Sequence, residues 1–79
     1  MVTNGEIIVL RRLREVCPKK QMSELDVIEA KKSVKVAFEI IGFKPENFDE
    51  AFQKTWESSE VQMLSDFVYA VWRCANGQE

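Results

Sequence analysis

Histidine is absent from the 79 residues. Its absence removes the commonest general base near neutral pH and the commonest metal ligand together. Cysteine occurs only as Cys17 and Cys74, a pair that matches no metal-ligand spacing. A zinc site would have to be completed by carboxylates, a poor donor set for a structural metal. Gly5, Gly42 and Gly77 stand alone, so no glycine-rich phosphate loop can form. The longest unbroken apolar run, Ile7-Ile8-Val9-Leu10, is far too short to cross a bilayer, and no basic segment leads into a longer one. The expectation is a chain without metal, cofactor, signal peptide or membrane span, working in the reducing cytoplasm with both thiols unpaired. A disulfide between Cys17 and Cys74, joining the ends of the first and last helices, is the alternative.

What is present describes a small folded domain. Disorder is disfavoured by 46% hydrophobic residues and a net charge of only −2. A chain of this length makes one domain, residues 1–79, and buries only about 60% of its unfolded surface. The rare glycines and prolines punctuate four helical patterns, expected at about 4–16, 23–41, 45–57 and 60–75. In the first, Thr3-Asn4-Gly5-Glu6 reads as a capping box, Ile7, Leu10, Leu13 and Cys17 form one stripe, and Pro18 ends it. Ser23 is the expected N-cap of the second, whose Val27, Ala30, Val34, Ala37, Phe38 and Ile41 recur at three- and four-residue steps before a Gly42 stop. Pro45 suits the first position of the third helix, along which Phe48, Ala51, Phe52, Thr55 and Trp56 follow. Ser59 and Gln62 suggest a second capping box, ahead of Val61, Leu64, Phe67, Val68, Val71, Trp72 and Ala75. No stretch alternates as a strand would. The fold class is all-α, a small four-helix domain with short connections.

Charge is polarised along the chain. Residues 1–44 carry nine Lys or Arg against six acids, for +3; residues 45–79 carry two against seven, for −5. Arg11, Arg12 and Arg14 on the first helix and Lys31, Lys32 and Lys35 on the second are the candidate binding cations, with Lys19 and Lys20 between. They suit an acidic protein partner, or a solvated face locally paired through Glu29–Lys32, Lys35–Glu39 and Glu50–Lys54, better than phosphates in a chain that is acidic overall. DNA or RNA binding by these residues is the alternative.

The apolar surplus is the second signal. Ile8, Val9 and Val16 on the first helix, and Leu25, Ile28, Val36 and Ile40 around the second, fall off the inward stripes. Either these helices are largely surrounded, or they offer a second face to a partner or another copy of the chain. The aromatics read mostly as core, but so small a core cannot hide both tryptophans, which leaves one as an anchor of the kind enriched at binding hot spots. The candidate docking residues are Ile8, Arg11, Arg12, Arg14, Lys31, Lys32, Lys35, Ile40 and Trp72. No catalytic set emerges: Cys17 lies at a helix C-terminus, where the dipole opposes a thiolate, and the carboxylates sit on exposed faces.

Four stretches also carry a resemblance. A basic-aliphatic helix closes on proline at Leu10–Pro18. An acid-Ala-Lys-Lys start at Glu29–Lys32 runs on to a glycine stop through Ala37–Gly42. An acidic-aromatic helix opens at Glu46–Phe52, and the chain closes on Phe67-Val68-Tyr69-Ala70-Val71-Trp72-Arg73-Cys74. In order and punctuation this resembles the helical domain of bacteriophage helicase loaders of the replication protein P type. The resemblance implies a phage-encoded partner of a replicative helicase, in a reduced form that binds or inhibits without loading. The reading is a non-enzymatic protein–protein interaction module or regulator, with a homodimer as a further option.

Overall fold

Pro18 cannot follow a residue held in the helical region, and the first helix, α1, duly runs Asn4–Val16 and closes as the Cys17 N–H donates to the Leu13 carbonyl at 3.0 Å. The computed structural model describes residues 4–77. Three more helices follow: α2 (Val27–Ile41), α3 (Phe48–Ser58) and α4 (Leu64–Ala75), with a single 3-10 turn at Met22–Glu24. Among the described residues there is no strand. No helix of the described residues is long and apolar enough to cross a membrane.

The last three helices start later than their sequence patterns suggest, and the reasons are local. Asp26, not Ser23, caps α2: its carboxylate accepts the Glu29 N–H at 2.8 Å. Upstream, the backbone is committed elsewhere. The Met22 N–H donates to the Gln62 carbonyl at 2.7 Å, and the Leu64 N–H to the Lys20 carbonyl at 3.0 Å, around an antiparallel bridge between Gln21 and Met63. This clasp holds Gln21 and Met63 extended and keeps the two connectors out of α2 and α4. Ser59 therefore begins no helix; its hydroxyl accepts the Val61 N–H at 3.3 Å, and α4 opens after Met63. Pro45 lies in the turn before α3 and not within its first turn. The box expected at Thr3-Asn4-Gly5-Glu6 involves Thr3, outside the described residues.

The helix α4 touches the other three, and its inner row of Leu64, Phe67, Val68 and Val71 is buried. Against it lie Leu13 and Cys17 from α1, Ala30, Val34, Ala37 and Phe38 from α2, and Ala51 and Phe52 from α3. The inward stripes are mostly as the periodicity predicts. The exceptions are Ile7 and Val27, each expected inside and each 40% exposed, near the starts of their helices, and Leu10, half-buried but outside the core cluster. Glu6 is buried instead, accepting a hydrogen bond from the Tyr69 hydroxyl at 3.2 Å. Thr55 is also buried, its hydroxyl donating to the Ala51 carbonyl at 2.8 Å. Neither cysteine is in a disulfide.

Candidate functional site

The first half of α1 and the last turn of α2 lie side by side, with α4 beside them. Between them is an open groove of some 490 Å³ lined by Ile8, Val9 and Arg12, by Ile40, Ile41, Gly42 and Phe43, and by Trp72. Four of the nine candidate docking residues meet here: Ile8, Arg12, Ile40 and Trp72. Two of them are strongly exposed, Ile8 at 67% and Ile40 at 49%.

The groove's end wall follows from Gly42. Its φ of 77° is the left-handed conformation a side chain disfavours, and it lets the chain turn back on α2. The Gly42 N–H donates to the Glu39 carbonyl at 3.1 Å, and the Phe43 N–H to the Phe38 carbonyl at 2.9 Å. That is the Schellman closure, with its hydrophobic contact supplied by the Phe43 ring, edge-on to Phe38 at 5.1 Å. Phe43 then meets Trp72 at 6.2 Å, and Trp72 stacks on Tyr69 at 5.7 Å and 15°. Tyr69 is itself tied to Glu6 of α1. The indole is thus held from two sides while remaining only half-buried.

Polar side chains in the groove are few. Arg12 and the indole N–H of Trp72 are the polar side-chain groups of its eight lining residues, and both are donors. The Arg12 side chain makes no ion pair or hydrogen bond among the described residues. The groove meets α1 past its first turn and α2 at its last, so the guanidinium of Arg12 stands near the carbonyl end of α2.

The other cations lie outside the groove. Arg14 pairs with Asp66 of α4 at 3.4 Å, between exposed side chains. Lys31 reaches across to Asp49 of α3 at 2.9 Å and lies 5.9 Å from the centre of the Phe52 ring. The hydrogen bond from Lys31, and then its charge, hold the Asp49 carboxyl below the usual range. Lys35 sits over Phe48 at 5.6 Å. Pairing within α2, expected for Glu29–Lys32 and Lys35–Glu39, does not form among the described residues; two of the three α2 lysines turn toward α3 instead. Arg11 and Lys32 are exposed.

Cys17 is buried, and that burial pushes its thiol up from 9.0 to about 11, so it stays protonated at neutral pH. A larger recess of some 630 Å³ separates the ends of α3 and α4 and includes Lys54, Glu57, Ser58 and Arg73. Its serine and threonine hydroxyls are already engaged: Thr55 with Ala51, Ser58 with Lys54 at 2.7 Å, Ser59 with Val61. Among the described residues no cluster of three or more acidic or cysteine side chains is arranged to hold a metal.

The sequence marked Val9 as off-stripe surplus without placing it among the docking residues, and did not single out Ile41 or Phe43 for the site. The signal for Phe43 was a large apolar residue directly after a helix-ending glycine, which is where a Schellman closure places its contact. No protein-family model matches the chain, and neither a curated protein nor a solved structure matches it.

Proposed function

We propose that the chain is a non-enzymatic protein–protein interaction module or regulator that docks its partner in the groove between α1, the end of α2 and α4. One observation carries this reading: Ile8, Arg12, Ile40 and Trp72, singled out on three helices for separate reasons, line one surface. Exposed apolar side chains scattered singly are ordinary, but a convergent set with an aromatic anchor is the usual makeup of a binding hot spot. The resemblance to phage helicase loaders makes a bacterial replicative helicase the specific partner and the cytoplasm the setting. Homodimerisation through the same face competes with it. DNA or RNA binding by the basic residues is the less supported alternative, because Arg14, Lys31 and Lys35 are each occupied within the fold.

The test is titration of the chain onto a purified bacterial replicative helicase, followed by interferometry. Ile8→Asp and Ile40→Asp should each weaken binding by about tenfold or more while leaving the helical circular dichroism intact, since a charge in a desolvated apolar contact costs at least about 1.4 kcal/mol. Wild-type binding that both variants retain overturns the docking site, and absence of wild-type binding overturns the helicase.

A further inference from the structure

Resting on that docking surface, we infer the chemistry of its occupant: an amphipathic helix of another protein that inserts an apolar side chain beside Ile8, Ile40 and Trp72 and places a carboxylate on Arg12. Three features of the groove converge on this class of ligand. Arg12 is the one charged side chain among its eight lining residues, so an occupant's carboxylate finds a partner there and an occupant's cation does not. Among the described residues Arg12 has no acidic partner, unlike Arg14 and Lys31, and its planar fork suits a carboxylate held by two bonds. Ile8 and Arg12 are four residues apart on α1, so the apolar and cationic positions are separated by one helical turn. A partner helix with an apolar residue and an acid at the same spacing matches both positions at once.

A second copy of the chain is the less fitting occupant. Docked through the same face, it would bring its own Ile8, Ile40 and Arg12, and would set guanidinium against guanidinium.

The probes are two synthetic helical peptides with the same leucine face, one with glutamate four residues after the central leucine and the other with lysine there. Each is titrated into the full isotope-labelled chain. The Trp72 indole N–H and the methyls of Ile8 and Ile40 report on the groove, and the Trp56 indole serves as the internal reference. The glutamate peptide should shift the groove signals, leave Trp56 unmoved, and bind about tenfold more tightly than the lysine peptide. Arg12→Glu, on an exposed position that keeps the melting temperature, should reverse the order of the two peptides.

Equal affinities, an order unchanged in Arg12→Glu, or no shift at Trp72 with either peptide overturns the inference. Groove signals that move on dilution of the chain alone, with a matching change in sedimentation, overturn it in favour of a second copy. Peptides that bind equally, yet are both lost in Ile8→Asp, overturn only the acidic requirement and leave the docking surface standing. Helicase binding insensitive to Ile8→Asp and Ile40→Asp removes the surface itself.

Discussion

Between α3 and α4, Phe52 stacks on Trp56 at 5.9 Å and meets Phe67 edge-on at 5.5 Å, and both phenyl groups are almost fully enclosed. Between α1 and the end of α2, Ile8 and Ile40 are equally apolar and stay largely in water. Hydrophobicity does not separate the two regions; the number of walls does. The seam at Phe52 and Phe67 is enclosed by helices of this chain, whereas the groove has α1, α2 and α4 behind it and, among the described residues, nothing in front. A small domain has a limited supply of helices to bury its apolar faces, and here the aromatic half used it first.

That contrast can be broken or sharpened by experiment, beginning with its strongest claim. Phe52→Ala removes the centre of the aromatic seam and should cost about 3–5 kcal/mol in urea unfolding. A domain of this length has a total stability of roughly 4–12 kcal/mol, so the loss is a large fraction of the whole. A loss below about 1 kcal/mol would mean that the seam is not the core.

The next effect is alkaline. The unfolded Cys17 thiol ionises near 9.0 and the folded one only near 11, so as pH rises the unfolded state loses its proton first and stability falls. The loss should come to about 2 kcal/mol between pH 9 and 11. Tyr69, raised by burial and then by its bond to Glu6, steepens the same slope. The part due to Cys17 is what disappears in Cys17→Ala, read by chemical denaturation at each pH. Exposure adds a chemical counterpart: a thiol reagent under native conditions should label half-buried Cys74 well before Cys17.

Smaller still is the helix start. Asp26→Ala should cost about 1 kcal/mol through loss of the Glu29 cap, while Ser23→Ala should stay within about 0.5 kcal/mol. Smallest of all, Ile8→Ser and Ile40→Ser should change stability by no more than about 0.5 kcal/mol, because neither side chain is enclosed. A large loss at either position would turn the groove into core and undo the comparison.

The division between what could and could not be read in advance follows the same physics. Helical stripes were legible because burial imposes a period: Val34, Ala37 and Phe38, or Leu64, Phe67 and Val71, announce an inward face wherever the neighbours lie. Gly42 was legible because a left-handed residue at a helix end favours glycine. The starts of α2 and α4 were not. Ser23 and Ser59 have good local credentials as caps, but bonds between segments distant in sequence decide the outcome, and no window along the chain contains both partners. The same limit hid the groove. Ile8, Arg12, Ile40 and Trp72 could each be marked as surplus, cation or anchor, but only the packing of α1 and α2 on α4 makes them neighbours. Glu6 shows the reverse error: a carboxylate looks exposed until a tyrosine 63 positions away covers it.

The clasp between the connectors also bears on how the molecule assembles. Its two backbone bonds join residues roughly forty positions apart, the costliest kind of closure for a chain whose other backbone bonds are mostly local. It joins the connector between α1 and α2 to the one between α3 and α4, so packing of the helices on either side supports it. It should therefore behave as a latch that shuts after the folding barrier has been crossed, so weakening it would speed unfolding and leave the refolding rate nearly unchanged. The amides of Met22 and Leu64, though outside helical hydrogen bonding, should then exchange with deuterium only when that latch lets go.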